Sequence, residues 1–388
     1  MKRTAALPAL SRRLTAALAA GCTLWAVHAT AGSRTASAAV RALTDAAQAP
    51  LAALRWELGD FRGEDTLSPA TVLTIGQSPL LLSARGEVAK LWSQETGDAD
   101  AAEDPADPGT RPVTETPVED APGGTDNGVP ARTLIPNDPS GYTVVGRTYI
   151  SNSTEHTLSS AALTEEFDAE LTADAPQILI LHTHGSESYT PPAGTEIAYS
   201  GNHRTTDNRY NVVRVGDEMA QEFAAAGVSV LHDRTLYDYP SYKNAYNRAL
   251  AAIETYRTEY PSIRFILDVH RDAIEDTQGN EYKVVSAVEG EGTAAQLTLV
   301  VGSDGSGMPH PHWQENLKLA VAIQNQALTD YPTLMRPVLL RNSRYNQHAT
   351  TGSLLVEVGA AGNSPDEAAL AGRLFAREML AVLEGRSK

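Results

Sequence analysis

The sequence predicts an α/β fold in which helices cover both faces of a mostly parallel β-sheet. The prediction depends on residues 142–388, where short apolar runs typical of buried strands alternate with amphipathic segments of helical period. Alternation of strands and helices at this spacing favours right-handed crossovers, which leave successive strands parallel. We therefore expect one sheet whose strand ends gather at a common edge.

Six apolar runs predict the strands, in chain order QILILHTH, VSVLHD, IRFILDVHRD, EYKVVSAVE, QLTLVVGSD and LLVEVGA. Four segments of helical period predict the helices. In VVRVGDEMAQEFAAAG, Val212, Val215, Met219 and Phe223 share one face, and Gly227 ends the helix. The other three are SYKNAYNRALAAIETY, HWQENLKLAVAIQNQALTDY and PDEAALAGRLFAREMLAVLEG.

The start of the chain has the composition of an export signal or membrane anchor. Residues 1–33 join a basic stretch, MKRTAALPALSRR, to an apolar run free of charge. Small residues beyond this run would permit cleavage, and Cys22 would permit lipidation, so the fate of the segment stays open. Because the chain has one cysteine, its exported part contains neither a disulfide nor a Cys-based zinc site. We expect the protein at the outer side of the cell membrane, or secreted if the segment is cleaved.

Two further segments precede the predicted functional domain, residues 139–388. Residues 34–92 are interpreted as a juxtamembrane or stalk segment without recognisable chemistry. Residues 93–138 contain eleven acidic residues and two arginines, and they supply about half of the net charge of −17. Rich in Pro and Gly, this stretch cannot bury enough apolar surface to offset its ordering entropy, which predicts a disordered acidic linker. The acidity of the chain disfavours nucleic acid as a partner.

Three of the predicted strands end in groups that can bind a metal or transfer a proton. Carboxyl ends of parallel strands share one sheet edge, and such groups are costly to bury without partners, so we expect them to converge. Two histidines and a carboxylate, with a second carboxylate left as base, are typical of a catalytic zinc site with one open position. The sequence has neither a Gly-rich phosphate loop after the first strand nor a Gly-x-Ser-x-Gly motif, which disfavours a nucleotide site and a serine hydrolase.

His184 and His270 are the predicted metal ligands. His184 precedes Gly185, where the backbone can turn towards a metal, and His182 then has a supporting role. The third ligand stays open between Glu187, which we favour, and Asp207 just before the next helix.

Three more residues have predicted roles in the site. Asp268 is expected to orient an imidazole, as carboxylates behind metal ligands do. Arg271 either binds a substrate carboxylate or forms an ordinary ion pair. Glu357, in a strand that otherwise consists of apolar residues, is predicted to be the general base, with a buried ion pair as the alternative.

The chain from about residue 142 to its end resembles the stage II sporulation protein P (SpoIIP) family. The resemblance rests on successive blocks in the same order: ILILHTHGSESY, NVVRVGDEMAQEFAAAGVSV, YPSYKNAYNRAL, FILDVHRDA, LVVGSD, HWQENLKLA, YNQH and LLVEVGAAGNSPDEA. It implies a peptidoglycan hydrolase that acts in forespore engulfment, with N-acetylmuramoyl-L-alanine amidase and endopeptidase activity. It also implies an N-terminal anchor and two partners, a lytic transglycosylase of the SpoIID type and a membrane protein of the SpoIIM type.

The resemblance further implies a fold related to that of zinc-dependent cell-wall amidases. In those enzymes one His follows the first strand, a Glu precedes the first helix, a second His ends a later strand and a catalytic Glu ends another. His184, His270 and Glu357 match three of these four features, and the carboxylate ligand is the feature in doubt. The alternative from another class is a non-catalytic module that binds peptidoglycan or a partner of the engulfment machinery.

Overall fold

The described part of the chain forms an eight-stranded sheet, a smaller four-stranded sheet and four helices. The computed structural model describes residues 113–117, 127–171, 175–200, 203–276 and 278–386. The predicted anchor and stalk, residues 1–33 and 34–92, lie outside these ranges. No helix within the described ranges is long and apolar enough to cross a membrane.

The strands are β1 (Val113–Pro117), β2 (Ala131–Pro136), β3 (Thr143–Val145), β4 (Thr148–Asn152), β5 (Ile178–Leu181), β6 (Val230–His232), β7 (Phe265–Asp272), β8 (Lys283–Val288), β9 (Gly292–Ala295), β10 (Leu297–Gly302), β11 (Val338–Arg341) and β12 (Gly352–Ala360). The helices are α1 (Val212–Ala225), α2 (Ala245–Glu259), α3 (Trp313–Asp330) and α4 (Pro365–Arg386). Each of the strands and helices predicted from the apolar pattern is present, although β6 is only three residues long.

The sequence predicted a mostly parallel sheet, and the large sheet is mixed, with five parallel and two antiparallel strand pairs. Its order is β3-β4-β11-β10-β12-β7-β5-β6. Strands β6, β5, β7 and β12 run parallel to each other, whereas β10 is antiparallel to β12 and parallel to β11. Parallel neighbours need a long crossover, and no helix lies between β7 and β10 in the chain. The chain therefore returns through β8 and β9 and enters the sheet at β10 in the opposite direction.

Helices cover both faces of this sheet. Successive side chains of a strand point to opposite faces, and in a buried strand such as β5 the side chains on both faces are apolar. Ile178 and Ile180 of β5 face one core, to which α1, α3 and α4 contribute. Leu179 and Leu181 face a second core, formed with Ala249 and other residues of α2.

The small sheet begins inside the stretch predicted to be a disordered linker, residues 93–138. Strand β1 pairs with β2 in antiparallel orientation, and β2 pairs with β8. Leu134 is buried against Tyr282 and Val284, and the Gln296 amide bonds both backbone groups of Leu134. These partners lie about 150 residues away in the chain, so the local composition of the stretch gave no sign of them.

Candidate metal centre

Strands β5, β7 and β12 bring the predicted site residues to one edge of the large sheet. Glu357 of β12 is the register partner of His270 on β7, so the two side chains lie next to each other on the same face. The β5–β7 pairing ends at Leu181 and Asp268. Beyond Leu181 the chain leaves the sheet and carries His184 and Glu187 across the ends of the strands.

His184, Glu187 and His270 form a buried cluster that fits a metal ion. The side chain of Glu187 lies between the two imidazoles, with Oε1 3.4 Å from His184 Nδ1 and Oε2 3.5 Å from His270 Nδ1. One ligand atom of each residue lies within 4.8 Å of the others. Ligand atoms around a tetrahedral Zn²⁺ are roughly 3.3 Å apart. The spacing of these atoms therefore suits a small divalent ion held by two nitrogens and a carboxylate.

Asp268 orients His270 from the side away from Glu187. Its Oδ1 lies 2.9 Å from His270 Nε2, which leaves His270 Nδ1 facing the cluster. The carboxylate is itself held by Thr183, whose backbone N–H and hydroxyl donate at 2.8 and 2.6 Å. A carboxylate that fixes an imidazole in this way is the usual support of a metal-binding histidine.

The charges in the cluster are arranged to receive a cation. Burial alone would raise the pKa of Glu187, but hydrogen bonds from His184 and His270 and the nearby Arg271 hold it well below its ordinary value. Burial alone would lower the pKa of His270, but the carboxylates of Asp268 and Glu187 raise it well above its ordinary value. The centre therefore favours a positive charge between Glu187 and His270, and a bound metal would take the place of the proton.

Asp207, the alternative third ligand, is paired with Arg209 instead. The Arg209 guanidinium donates to both carboxylate oxygens of Asp207, at 2.6 and 3.0 Å in the shortest contacts. This pairing lowers the pKa of Asp207. Glu187 is the carboxylate that lies between the two histidines.

Arg271 holds the loop that carries Glu187. Its backbone N–H donates to Glu187 Oε2 at 3.2 Å. Its guanidinium donates to the carbonyl oxygens of Ser188, Asp272 and His203. These contacts with backbone carbonyls explain why an arginine is buried at the end of β7.

Arg204 and Tyr242 lie at the rim of the centre, and of these two the sequence analysis did not single out Arg204. The Arg204 guanidinium lies 3.5 Å from Glu187 Oε1 and forms an ion pair with the buried Asp238. It also stacks over the ring of Tyr242, 4.8 Å from its centroid. Tyr242 in turn stacks on His184 with 4.5 Å between ring centroids, and it is 46% exposed. Arg204 stands in a polar loop without apolar periodicity, so nothing in its local sequence indicated a role.

His182 lies in a second network beside the metal centre. Burial next to His232 lowers the pKa of His182 to about 3, so its imidazole is neutral. Its Nδ1–H donates to the carbonyl of Val269, and its Nε2 lies 2.8 Å from His232 Nε2. His232 Nδ1 is 2.9 Å from Asp217 Oδ1. His182 thus fixes the backbone immediately before His270.

The fold and the centre define an α/β protein with a buried His–Glu–His cluster beside a strand-borne glutamate. The family model of Stage II sporulation protein P (SpoIIP) matches residues 139–380, and the chain belongs to this family, as its sequence blocks predicted. Stage II sporulation protein P of Bacillus subtilis (strain 168) is 25% identical over 211 residues, which cover 51% of this chain. The match spans 49% of that relative, about half its length.

Two solved structures show a weaker likeness. N-acetylmuramoyl-L-alanine amidase AmiC2 of Nostoc punctiforme is 13% identical with a TM-score of 0.35, over 55% of this chain and 99% of that chain. The CwlD amidase from Clostridioides difficile, in complex with the GerS lipoprotein, is 16% identical with a TM-score of 0.32, over 53% and 99%.

Proposed function

We propose that the protein is a zinc-dependent peptidoglycan hydrolase that cleaves the N-acetylmuramoyl-L-alanine amide bond during forespore engulfment. The observation that carries the proposal is the buried cluster of His184, Glu187 and His270 with Glu357 adjacent to it. Membership of the SpoIIP family supports the setting in sporulation. A module that only binds peptidoglycan would have no use for a carboxylate beside a metal centre.

The residues present suit Zn²⁺ because they offer two imidazole nitrogens and one carboxylate, which would leave a fourth position for water or substrate. Bound there, the ion would polarise the scissile carbonyl and make water a better nucleophile near neutral pH. His184, Glu187 and His270 would hold it, and Asp268 would keep the His270 ring in the required orientation.

Glu357 is the proposed general base. Its carboxylate takes a proton from the attacking water and passes it to the leaving amine of L-alanine. Its neighbours Val356 and Val358 are fully buried, whereas Glu357 is partly exposed, so its side chain reaches out of the core. Tyr242, exposed and stacked on His184, is placed to contact a glycan or peptide that approaches the centre.

Release of soluble fragments from purified cell-wall sacculi tests the proposal. We expect release by the full-length protein, its loss with a chelator and its return with Zn²⁺. Mass spectrometry of the fragments separates amidase products, which have a free L-alanine amine, from products of cross-link cleavage by an endopeptidase. A protein that sediments with sacculi but releases nothing from them would instead be the binding module.

The proposed setting is the outer face of the cell membrane, with the domain at residues 139–388 facing the wall. In that setting the proposed partners are a lytic transglycosylase of the SpoIID type and a membrane protein of the SpoIIM type. The transglycosylase cuts glycan strands while this protein removes their stem peptides, so that together they detach wall material. A pull-down of each partner with the full-length protein tests the pairing.

A further inference from the structure

A row of three side chains crosses the sheet at the metal centre. Glu357 on β12 is the register partner of His270 on one side and of Thr298 on the other. Register partners on neighbouring strands lie on the same face, with Cβ atoms about 4.5–5.5 Å apart. The side chain of Thr298 therefore stands beside that of Glu357, opposite His270.

The hydroxyl of Thr298 has no hydrogen-bond partner among the described residues, although Thr298 is only 1% exposed. A buried hydroxyl without a partner destabilises a protein, and valine would fill the same space without that cost. The next positions of β10 are the apolar Leu299, Val300 and Val301. The threonine at this position is thus unexplained by packing.

The backbone of β12 changes course just after Glu357. Its register with β7 shifts between Glu357 and Ala360, and Gly359 has a positive φ of 64°. Such irregularities re-aim the side chains beside them. The flanking strand β10 keeps its regular pairing with β12 from Leu297 to Val300, so Thr298 is a fixed neighbour of a side chain whose strand bends.

We propose that Thr298 is a positioning residue for Glu357, an inference that rests on the proposed hydrolase function. Its hydroxyl donates a hydrogen bond to the Glu357 carboxylate when substrate is bound, and this bond holds the carboxylate towards the attacking water. A hydrogen bond to a charged group is among the stronger ones in proteins. The effect of Thr298 on the reaction passes through its register partner Glu357.

The test compares Thr298→Val, which keeps the shape and removes the hydroxyl, with Thr298→Ser, which keeps the hydroxyl. We expect Thr298→Val to retain full zinc and an equal or higher melting temperature, while kcat falls by about 10- to 100-fold with little change in KM. Thr298→Ser should recover most of kcat. Thr148→Val on β4, which removes another fully buried hydroxyl of the same sheet, should leave kcat unchanged.

A double-mutant cycle with Glu357→Gln separates positioning from other roles. In the Glu357→Gln background, Thr298→Val should cause no further loss, because the carboxylate it positions is already gone. Equal losses in both backgrounds, or no loss in either, would overturn the proposal. If the wild-type protein released no fragments, the hydrolase function would fail instead, and the two failures are therefore distinguishable.

Discussion

At the scale of single residues, two roles are compared for Glu357, that of a general base and that of a partner in a buried ion pair. The structural alternative is an ion pair with Arg271 or Arg344. The Arg271 guanidinium, however, donates to three backbone carbonyls, and Arg344 Nη1 donates to the carbonyl of Pro309 at 3.4 Å. Both arginines thus have backbone partners, but a guanidinium has five donors and can also pair with a carboxylate, so a variant of Glu357 is needed to separate the two roles.

Glu357→Gln should leave the protein folded and loaded with zinc while turnover falls by about 10²- to 10⁴-fold, the usual contribution of a positioned acid or base. Glutamine keeps the shape of the side chain but cannot accept a proton from water. Melting temperature, zinc content and fragment release from sacculi are to be measured on the one variant. A stable, zinc-loaded and fully active variant would exclude the catalytic role, and a loss of stability with a parallel loss of activity would indicate an ion pair.

The metal ligands have a separate test. His184→Ala and His270→Ala each remove one nitrogen from the cluster, so bound zinc should fall well below one equivalent per chain. His182→Ala should remove less zinc, because His182 supports the backbone of β7 and lies outside the cluster. Elemental analysis of the purified variants checks both expectations, with the exposed His312→Ala as control. Full zinc in both ligand variants would show that the assigned ligand set is wrong.

At the scale of secondary-structure elements, the His182 side chain takes the place of a backbone hydrogen-bond donor beyond the end of β5. The pairing of β5 with β7 ends at Leu181 and Asp268, where the chain turns off to carry His184. The carbonyl of Val269 would then be left without a partner from β5, and the His182 imidazole supplies one. The chain can thus leave β5 and carry His184 away from the sheet while β7 stays fixed up to His270.

Helix α1 makes room for this network with a glycine in its interior. A Cβ built on Gly216 would lie 2.4 Å from His232 Nε2 and 2.7 Å from His182 Nε2. Glycine costs a helix interior about 1 kcal/mol relative to alanine, so its presence here has to be explained. The close approach of the two imidazoles explains it.

Gly216→Ala should therefore destabilise the protein by about 1–3 kcal/mol, the usual cost of overpacking a core, although the same change stabilises most helices. Gly385→Ala in α4 is the matched control, because nothing lies within 4 Å of a Cβ at that position. Thermal unfolding of both variants, with zinc content, measures the effect. A Gly216→Ala protein as stable as its control would show that the two histidines tolerate the methyl group.

Prediction from sequence succeeded where the signal was local. The runs that became β5, β7 and β12 are short and apolar, and those of β5 and β7 lead into the residues of the cluster, so both the strands and the histidines could be predicted. The direction of β10 could not, because it depends on pairing with β12 more than 50 residues later. Arg204 and Thr298 were missed for a related reason. An arginine in a loop and a threonine in a strand are ordinary locally, and their partners come from distant parts of the chain.

At the scale of the whole molecule, the site residues lie between positions 182 and 357, far in sequence from the segment expected to export and anchor the chain. Chemistry and location should therefore be separable. A hydrolase of the cell wall must act outside the cytoplasm, and tethering it to the membrane raises its effective concentration at the wall.

Deleting residues 1–33 should leave the protein in the cytoplasm, because these residues contain the basic stretch and the apolar run typical of an export signal. The full-length protein should fractionate with membranes and be digested by protease added to cells stripped of their wall. The purified deletion variant should still bind zinc and release fragments from sacculi, since it retains every residue of the proposed site. Replacing only Cys22 by serine separates lipidation from insertion, because a lipid anchor would be lost while an apolar span would persist. Full-length protein found in the soluble cytoplasmic fraction would contradict the predicted anchor, and a deletion variant that reached the wall would place the export signal elsewhere in the chain.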